Sequence, residues 1–137
     1  MAQKIKVSAF VNARKENVWD YFTLPEHITQ WNAAIPEWQC PKAESDFREG
    51  GTFSYRMEAK DGSVGFDFSG EFIKIVTWNE IHYTLDDGRS VSVIFDESAK
   101  GTQITETFEA ETNTPADMQQ QGWQNILDNF KQYVEEN

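Results

Sequence analysis

The chain has 137 residues, a net charge of −11 and 14% aromatic residues, among them five Trp and ten Phe. That length suits one domain, residues 1–137, able to bury about two-thirds of the surface its unfolded chain exposes, and so many rings exclude a disordered chain. The acidity repels phosphate backbones and anionic lipid, so neither nucleic acid nor a membrane is the expected partner.

Ile5, Val7, Ala9 and Val11 alternate with Lys4, Lys6 and Ser8, the two-residue period of a half-buried strand. Phe10 interrupts its polar side. Residues 1–6 carry no apolar run of the signal-peptide kind, and no later run reaches transmembrane length, so the expected location is cytoplasmic. Over 13–22 the spacing becomes helical, with Val18, Phe22 and either Trp19 or Tyr21 on the apolar side and Asn12 as the cap. Thr23-Leu24-Pro25-Glu26 reads as a capping box that opens a second short helix ending near Trp31. Residues 32–40 are irregular, with Pro36 and Pro41 as punctuation.

From Pro41 onward, turn signals recur: Gly50-Gly51, Asp61-Gly62, Trp78-Asn79, Asp86-Asp87-Gly88 and Lys100-Gly101. Gly, Asn and Asp supply the positive φ that tight hairpins require. They divide the chain into strands 42–49, 52–59, 63–76, 80–85, 89–96 and 102–111, a six-strand meander. With the first strand this makes a seven-stranded antiparallel sheet. Alternation places Phe53, Tyr55, Met57 and Ala59 on one face, together with Val64, Phe66, Phe68 and Phe72, then Ile81, Tyr83 and Leu85, then Val91, Val93 and Phe95.

The last element is a long amphipathic helix from 115 to about 134. Thr114 is its cap, Pro115 suits its first turn and Asp117 favours its positive end. Met118, Trp123, Ile126, Leu127, Phe130 and Val134 form an apolar stripe, while Gln119 and Gln120 fall among the polar remainder. That stripe needs a partner surface, and the aromatic face of the sheet is the one available. A twisted sheet of this size curls around the helix. One helix either fills the hollow as a solid core or leaves a cavity lined by rings.

Several stretches carry a resemblance. Val18-Trp19-Asp20-Tyr21-Phe22-Thr23, Pro25-Glu26-His27-Ile28 with Trp31, and Gly50-Gly51-Thr52-Phe53-Ser54-Tyr55-Arg56-Met57 are similar to bacterial proteins related to the activator of the heat-shock protein 90 ATPase. So are Tyr83-Thr84-Leu85-Asp86-Asp87-Gly88-Arg89, Thr105-Glu106-Thr107-Phe108 and Gln121-Gly122-Trp123. The element order resembles the helix-grip arrangement of the START-like superfamily, and the likeness spans essentially the whole chain. It implies an α+β fold in which a curved seven-stranded sheet wraps a long C-terminal helix, with two short helices after the first strand. The superfamily includes lipid and hormone carriers, polyketide cyclases, antibiotic-resistance proteins and chaperone activators. It offers no shared catalytic residues. Eukaryotic activators carry an additional N-terminal chaperone-binding domain, whereas the helix-grip pattern here begins at the first strand, near residue 4.

Within this frame Glu106, between Ile104 and Phe108, points inward with them, or else sits at a rim or bulge that turns it to water. An inward carboxyl among rings would have a raised pKa or a hydrogen-bond partner, and could orient a ligand's polar group. His27 is either an acid–base group at the cavity mouth or a locally bonded packing residue. His82 alternates outward. Two separated histidines and the lone Cys40 give neither a metal site nor an internal disulfide, and Cys40 lacks an activating base. No Ser–His–Asp arrangement and no phosphate loop emerge. Arg48 and Arg56 are read as surface pairs with acids on neighbouring strands. The expected cavity lining is Trp31, Trp38, Tyr55, Met57, Phe66 and Phe68, with Tyr83, Phe95, Glu106 and Trp123. The expected activity is binding of a hydrophobic or aromatic small molecule (a lipid, sterol, flavonoid or polyketide) without a cofactor. A chaperone as protein partner and a cyclase- or hydrolase-like enzyme using Glu106 and His27 are the rival readings.

Overall fold

The computed structural model describes residues 3–137. Met1 and Ala2, part of the segment read above as no signal peptide, lie outside the described residues. The elements are β1 (Lys4–Val11), α1 (Lys15–Thr23), α2 (Pro25–Trp31), β2 (Trp38–Ser45), β3 (Thr52–Ala59), β4 (Gly65–Val76), β5 (Glu80–Leu85), β6 (Ser90–Ser98), β7 (Gly101–Glu109) and α3 (Ala116–Glu136). All strands join one antiparallel sheet in the order β1-β7-β6-β5-β4-β3-β2. The seven-stranded helix-grip architecture is therefore as the sequence reads, with α3 gripped by the curved sheet.

The inward rows follow from the register. One row runs Val7, Glu106, Val93, Ile81, and the next runs Ile5, Phe108, Val91, Tyr83, Phe72. The first half of α3 leaves space over Glu106 and Ile81 of the first row and over Tyr83 and Phe72 of the second; farther along α3, Leu127, Phe130 and Val134 are buried and the packing closes. There Phe130 meets Phe22 and Trp31, and Phe95 meets Trp19 and Phe22, with ring centroids between 4.8 and 5.6 Å apart. Such contacts bury large apolar area in preferred edge-on geometries. The molecule thus has a solid end beneath α1, α2 and the second half of α3, and a hollow end beneath the first half of α3.

Both sheet edges are blunted. On β1, the outward carbonyls of Lys6, Ser8 and Phe10 accept hydrogen bonds from Gln120, Gln124 and Lys131 of α3. On β2, the ladder slips between Gln39 and Lys42, across Cys40 and Pro41, and proline has no N–H to offer. Gly70 is needed for a different reason. A Cβ there would strike the Thr84 carbonyl and the Phe53 ring, so only glycine lets Phe53 lie against the sheet.

Several local expectations are corrected. Thr114 does not cap α3; its hydroxyl donates to Glu111 Oε1, and Pro115 occupies the cap position without a side-chain bond. Asn12 does not cap α1, which starts after Arg14. The capping box at Thr23 is absent as well: Thr23 belongs to α1, its hydroxyl donates to the Trp19 carbonyl at 2.8 Å, and Leu24 precedes α2. Trp78, rather than Asn79, takes the positive φ, 69°, in the β4–β5 turn. β2 begins at Trp38, earlier than residue 42, because the stretch read as irregular pairs with the end of β3.

Met118 is 63% exposed, while Gln119 turns inward. Positions 119, 123, 126, 130 and 134 share the buried face, and residue type misassigned the first turn. Val64 and Phe66 are also largely exposed. β5 pairs with β4 only from Gly70 onward, so the start of β4 has β3 alone beside it and projects past the body.

Candidate functional site

Between the sheet and the first half of α3 lies a cavity of about 350 Å³. Its walls are mostly rings. Phe53, Tyr55, Phe68, Phe72 and Tyr83 come from β3, β4 and β5, Trp123 and Ile126 from α3, and Phe22, Trp31 and Phe47 close one side. Phe53 is the hub, with ring centroids 4.9 Å from Tyr55, 5.1 Å from Phe72 and 5.1 Å from Tyr83. Trp123 lies flat on Phe108 and meets Phe68 edge-on at 6.1 Å, so its ring is held as a rigid wall.

Eight of the ten expected lining residues border this space: Trp31, Tyr55, Met57, Phe66, Phe68, Tyr83, Glu106 and Trp123. Phe66 is half exposed and stands at the mouth. Phe95 and Trp38 do not line it, which corrects two assignments. Phe95 is only 2% exposed and belongs to the solid end, packed on Trp19 and Phe22. Trp38, on the edge strand, lines a separate surface groove with Ile35, Cys40 and Tyr133 and approaches Phe66 from outside at 6.1 Å.

Glu106 is buried, 7% exposed, on the inward face of β7. Its cross-strand neighbours are Val7 and Val93, and its same-face neighbours along β7 are Ile104 and Phe108. None can hydrogen-bond a carboxyl through its side chain, and burial pushes the Glu106 pKa up to about 8. The group therefore carries its proton at neutral pH. Burial, and secondarily the nearby Glu106, pushes the Tyr83 hydroxyl well above its usual range. Tyr55 is raised by burial too, offset in part by Ser45.

The far end of the cavity is polar, and sequence reasoning missed it. Gln119 is fully committed: its Oε1 accepts from the Glu111 amide at 2.9 Å, and its Nε2 donates to the carbonyls of Glu111 and Thr114. Arg89 reaches the same end but bonds Asp87 Oδ2 at 2.8 Å through Nε. The available signal was helical spacing, which assigns 119 to the buried stripe whatever its polarity. Phe47 fell inside the expected strand 42–49 with no face assigned, whereas β2 ends at Ser45 and Phe47 lies in the loop that follows.

His27 is not at the cavity. Its Nδ1 lies 2.8 Å from Tyr133 Oη, and Tyr21 packs edge-on against it, so it ties α2 to α3. His82 pairs with Glu80 at 2.8 Å on the outer face. Arg56 meets Glu58 on its own strand and Asp67 on β4, whereas Arg48 pairs with Asp46 within its own loop rather than with a neighbouring strand. Cys40 is buried, and burial raises its thiol pKa. Among the described residues no cluster of three His, Cys, Asp or Glu could hold a metal, and no helix is long and apolar enough to cross a membrane.

Comparison with known proteins places this geometry. No curated protein matches the chain. The solution structure of an AHSA1-like protein from Aeromonas hydrophila is 43% identical, over 98% of this chain and 93% of that one, with a TM-score of 0.92. A protein from Cytophaga hutchinsonii is also 43% identical, covering 99% of this chain and 93% of that one, with a TM-score of 0.81. A protein from Nitrosomonas europaea, 17% identical over 97% of this chain and 94% of its own, shares the fold with a TM-score of 0.83. The family model described as Activator of Hsp90 ATPase homolog 1-like protein matches residues 12–135. A curved sheet gripping one helix, matched over nearly its whole length in sequence and shape, makes the chain a member of the Activator of Hsp90 ATPase homolog 1-like family, in the START-like superfamily.

Proposed function

We propose that this protein binds a hydrophobic or aromatic small molecule, of lipid, sterol, flavonoid or polyketide size, between its sheet and α3. The observation that carries the reading is the cavity of about 350 Å³, walled by rings and holding one buried carboxyl without a partner. Burial of apolar ligand surface would supply the affinity, and Glu106 with the tyrosine hydroxyls would set orientation. Binding is favoured over catalysis because the second acid–base group the enzyme reading nominated, His27, is bonded to Tyr133 away from the cavity.

An NMR titration of the full chain with a fatty acid, a sterol, a flavonoid and a polyketide tests this. Saturable shifts at the Trp123 and Trp31 indoles and at the amides of Phe66, Asp67 and Phe68 are expected for at least one of them. Shifts absent across the panel would defeat the reading. The family's name would then make the Hsp90 chaperone the next partner to add, with binding read at the exposed surface.

A further inference from the structure

We propose that the cavity is shaped for an uncharged hydrophobic ligand whose inward polar atom is a hydrogen-bond acceptor, such as a ketone oxygen, held by the carboxyl O–H of Glu106. This rests on the binding reading above and specifies its chemistry.

The Glu106 carboxyl has unfilled bonding capacity where it borders the cavity. The groups able to titrate or carry charge around the cavity are Tyr83 on β5, Tyr55 on β3, Arg89 ahead of β6 and Glu111 after β7. Val7 is what β1 sets opposite Glu106. α3 contributes Gln119, Trp123 and Ile126, and α1 and α2 contribute Phe22, Thr23 and Trp31, none of which titrates. Gln119 already spends its donors on Glu111 and Thr114, and the Arg89 guanidinium is held at the cavity's end by Asp87 through Nε and by the Glu109 carbonyl through Nη1. Glu106 makes no hydrogen bond to another described residue, and it borders the cavity, where a ligand atom would reach its carboxyl.

Its protonation state decides what the missing partner is. Burial keeps the proton on up to about pH 8. A neutral carboxyl offers one O–H donor, and an acceptor on the ligand would fill it. A cationic ligand would have to displace that proton and share the cavity with Arg89. A carboxylate ligand would find the Arg89 guanidinium already paired with Asp87. As pH rises through about 8, Glu106 loses its O–H and faces the acceptor as a bare carboxylate, so affinity falls. Bound acceptor favours the neutral form and holds the proton to higher pH.

The test uses three probes of one shape: acetylnaphthalene, its hydrocarbon counterpart ethylnaphthalene, and naphthylethylamine. Each is titrated into the full chain at about pH 6.5 and about pH 9.5, either side of the Glu106 transition, with Trp fluorescence as the readout. At the lower pH the ketone is expected to bind roughly five- to tenfold more tightly than the hydrocarbon, the worth of one neutral hydrogen bond. That advantage is expected to shrink below about twofold at the higher pH, while the hydrocarbon's affinity stays level. Glu106→Gln, whose amide donates without titrating, is expected to keep the advantage at both pH values. Glu106→Leu is expected to lose it at both while still binding the hydrocarbon, which also reports that the variant is folded.

Equal binding of ketone and hydrocarbon at the lower pH overturns the acceptor proposal and leaves the binding function standing. An amine that binds best, and more tightly as pH rises, overturns it in favour of an ionised Glu106. Failure of all three probes defeats the cavity reading and the proposal with it.

Discussion

Trp123 lies flat on Phe108, with ring centroids 3.9 Å apart and planes within 12° of each other. The contact joins the first half of α3 to β7 and fixes the cavity wall on the helix side. Phe108 is 1% exposed, so its partners cannot be replaced by water. Phe108→Ala is expected to cost about 3–5 kcal/mol, the range for deleting a buried ring, read as a lowered urea midpoint. It is also expected to free the Trp123 ring and broaden its indole signal. A cost of under about 1 kcal/mol would mean that the stack contributes little to holding α3.

Glu106 makes stability depend on pH in the opposite sense from a paired carboxylate. Its pKa is about 8 in the folded chain against an ordinary value of 4.5. Below 4.5 both folded and unfolded chains hold the proton, and the group imposes no ionisation penalty. As pH rises from there, the unfolded chain ionises first, and folding must take the proton back. Stability therefore falls with pH until the folded group ionises near 8, and then levels. Glu106→Leu removes the penalty. The variant is expected to gain on the order of 2–4 kcal/mol over the parent at about pH 7.5, and to lose most of that gain at about pH 4.5. Urea melts at the two pH values measure it. A pH-independent difference would show that Glu106 already has a partner or reaches water.

The cover over β1 predicts both stability and association. Gln120 and Gln124 donate to the Lys6 and Ser8 carbonyls at 3.3 and 2.9 Å, and Lys131 donates to Phe10 at 2.8 Å. The helix's polar side thus serves as the missing neighbour strand. Gln120→Ala combined with Gln124→Ala is expected to cost about 1–2 kcal/mol in a urea melt. It should also open an edge for strand pairing, seen as concentration-dependent dimers by sedimentation. A variant as stable and as monodisperse as the parent would assign the edge's protection to the helix backbone alone.

Much of this was legible in the sequence, and the limits have physical causes. Two-residue alternation identified the inward face of most strands, though none was assigned for 42–49, because one face is buried and the other wet. It pointed Glu106 inward with Ile104 and Phe108 but left a rim or bulge open, and the unbroken pairing of β7 with β1 and β6 decides for the inward position. It failed for Val64, which precedes β4 and is exposed, and it could not show that Phe66, where β4 outruns β5, stands half exposed at the cavity mouth. It could not separate Phe95 from Tyr83. Both face inward, and only the cover that Trp19 and Phe22 of α1 lay over Phe95 makes the first solid core and leaves the second as cavity wall. Gln119 was lost to its polarity, although its spacing from Trp123 and Phe130 was that of the buried stripe. The expected caps went astray because Thr23 and Thr114 found other acceptors, Trp19 and Glu111.

The division between solid and hollow ends gives the last prediction, a contrast within one helix. Phe130 is fully buried, edge-on to Phe22 and Trp31 at 5.3 and 4.8 Å. Phe130→Ala takes a fully buried ring away from two others and is expected to cost about 3–5 kcal/mol. Ile126, one turn earlier, is half-buried and already borders the cavity. Ile126→Ala removes fewer contacts and enlarges an existing space rather than opening one, so about 1–2 kcal/mol is expected. The same change should widen the cavity and improve the fit of bulkier hydrocarbon probes. Equal costs at the two positions, measured by urea denaturation, would mean that the hollow closes up in solution and that α3 packs as tightly at Ile126 as it does at Phe130.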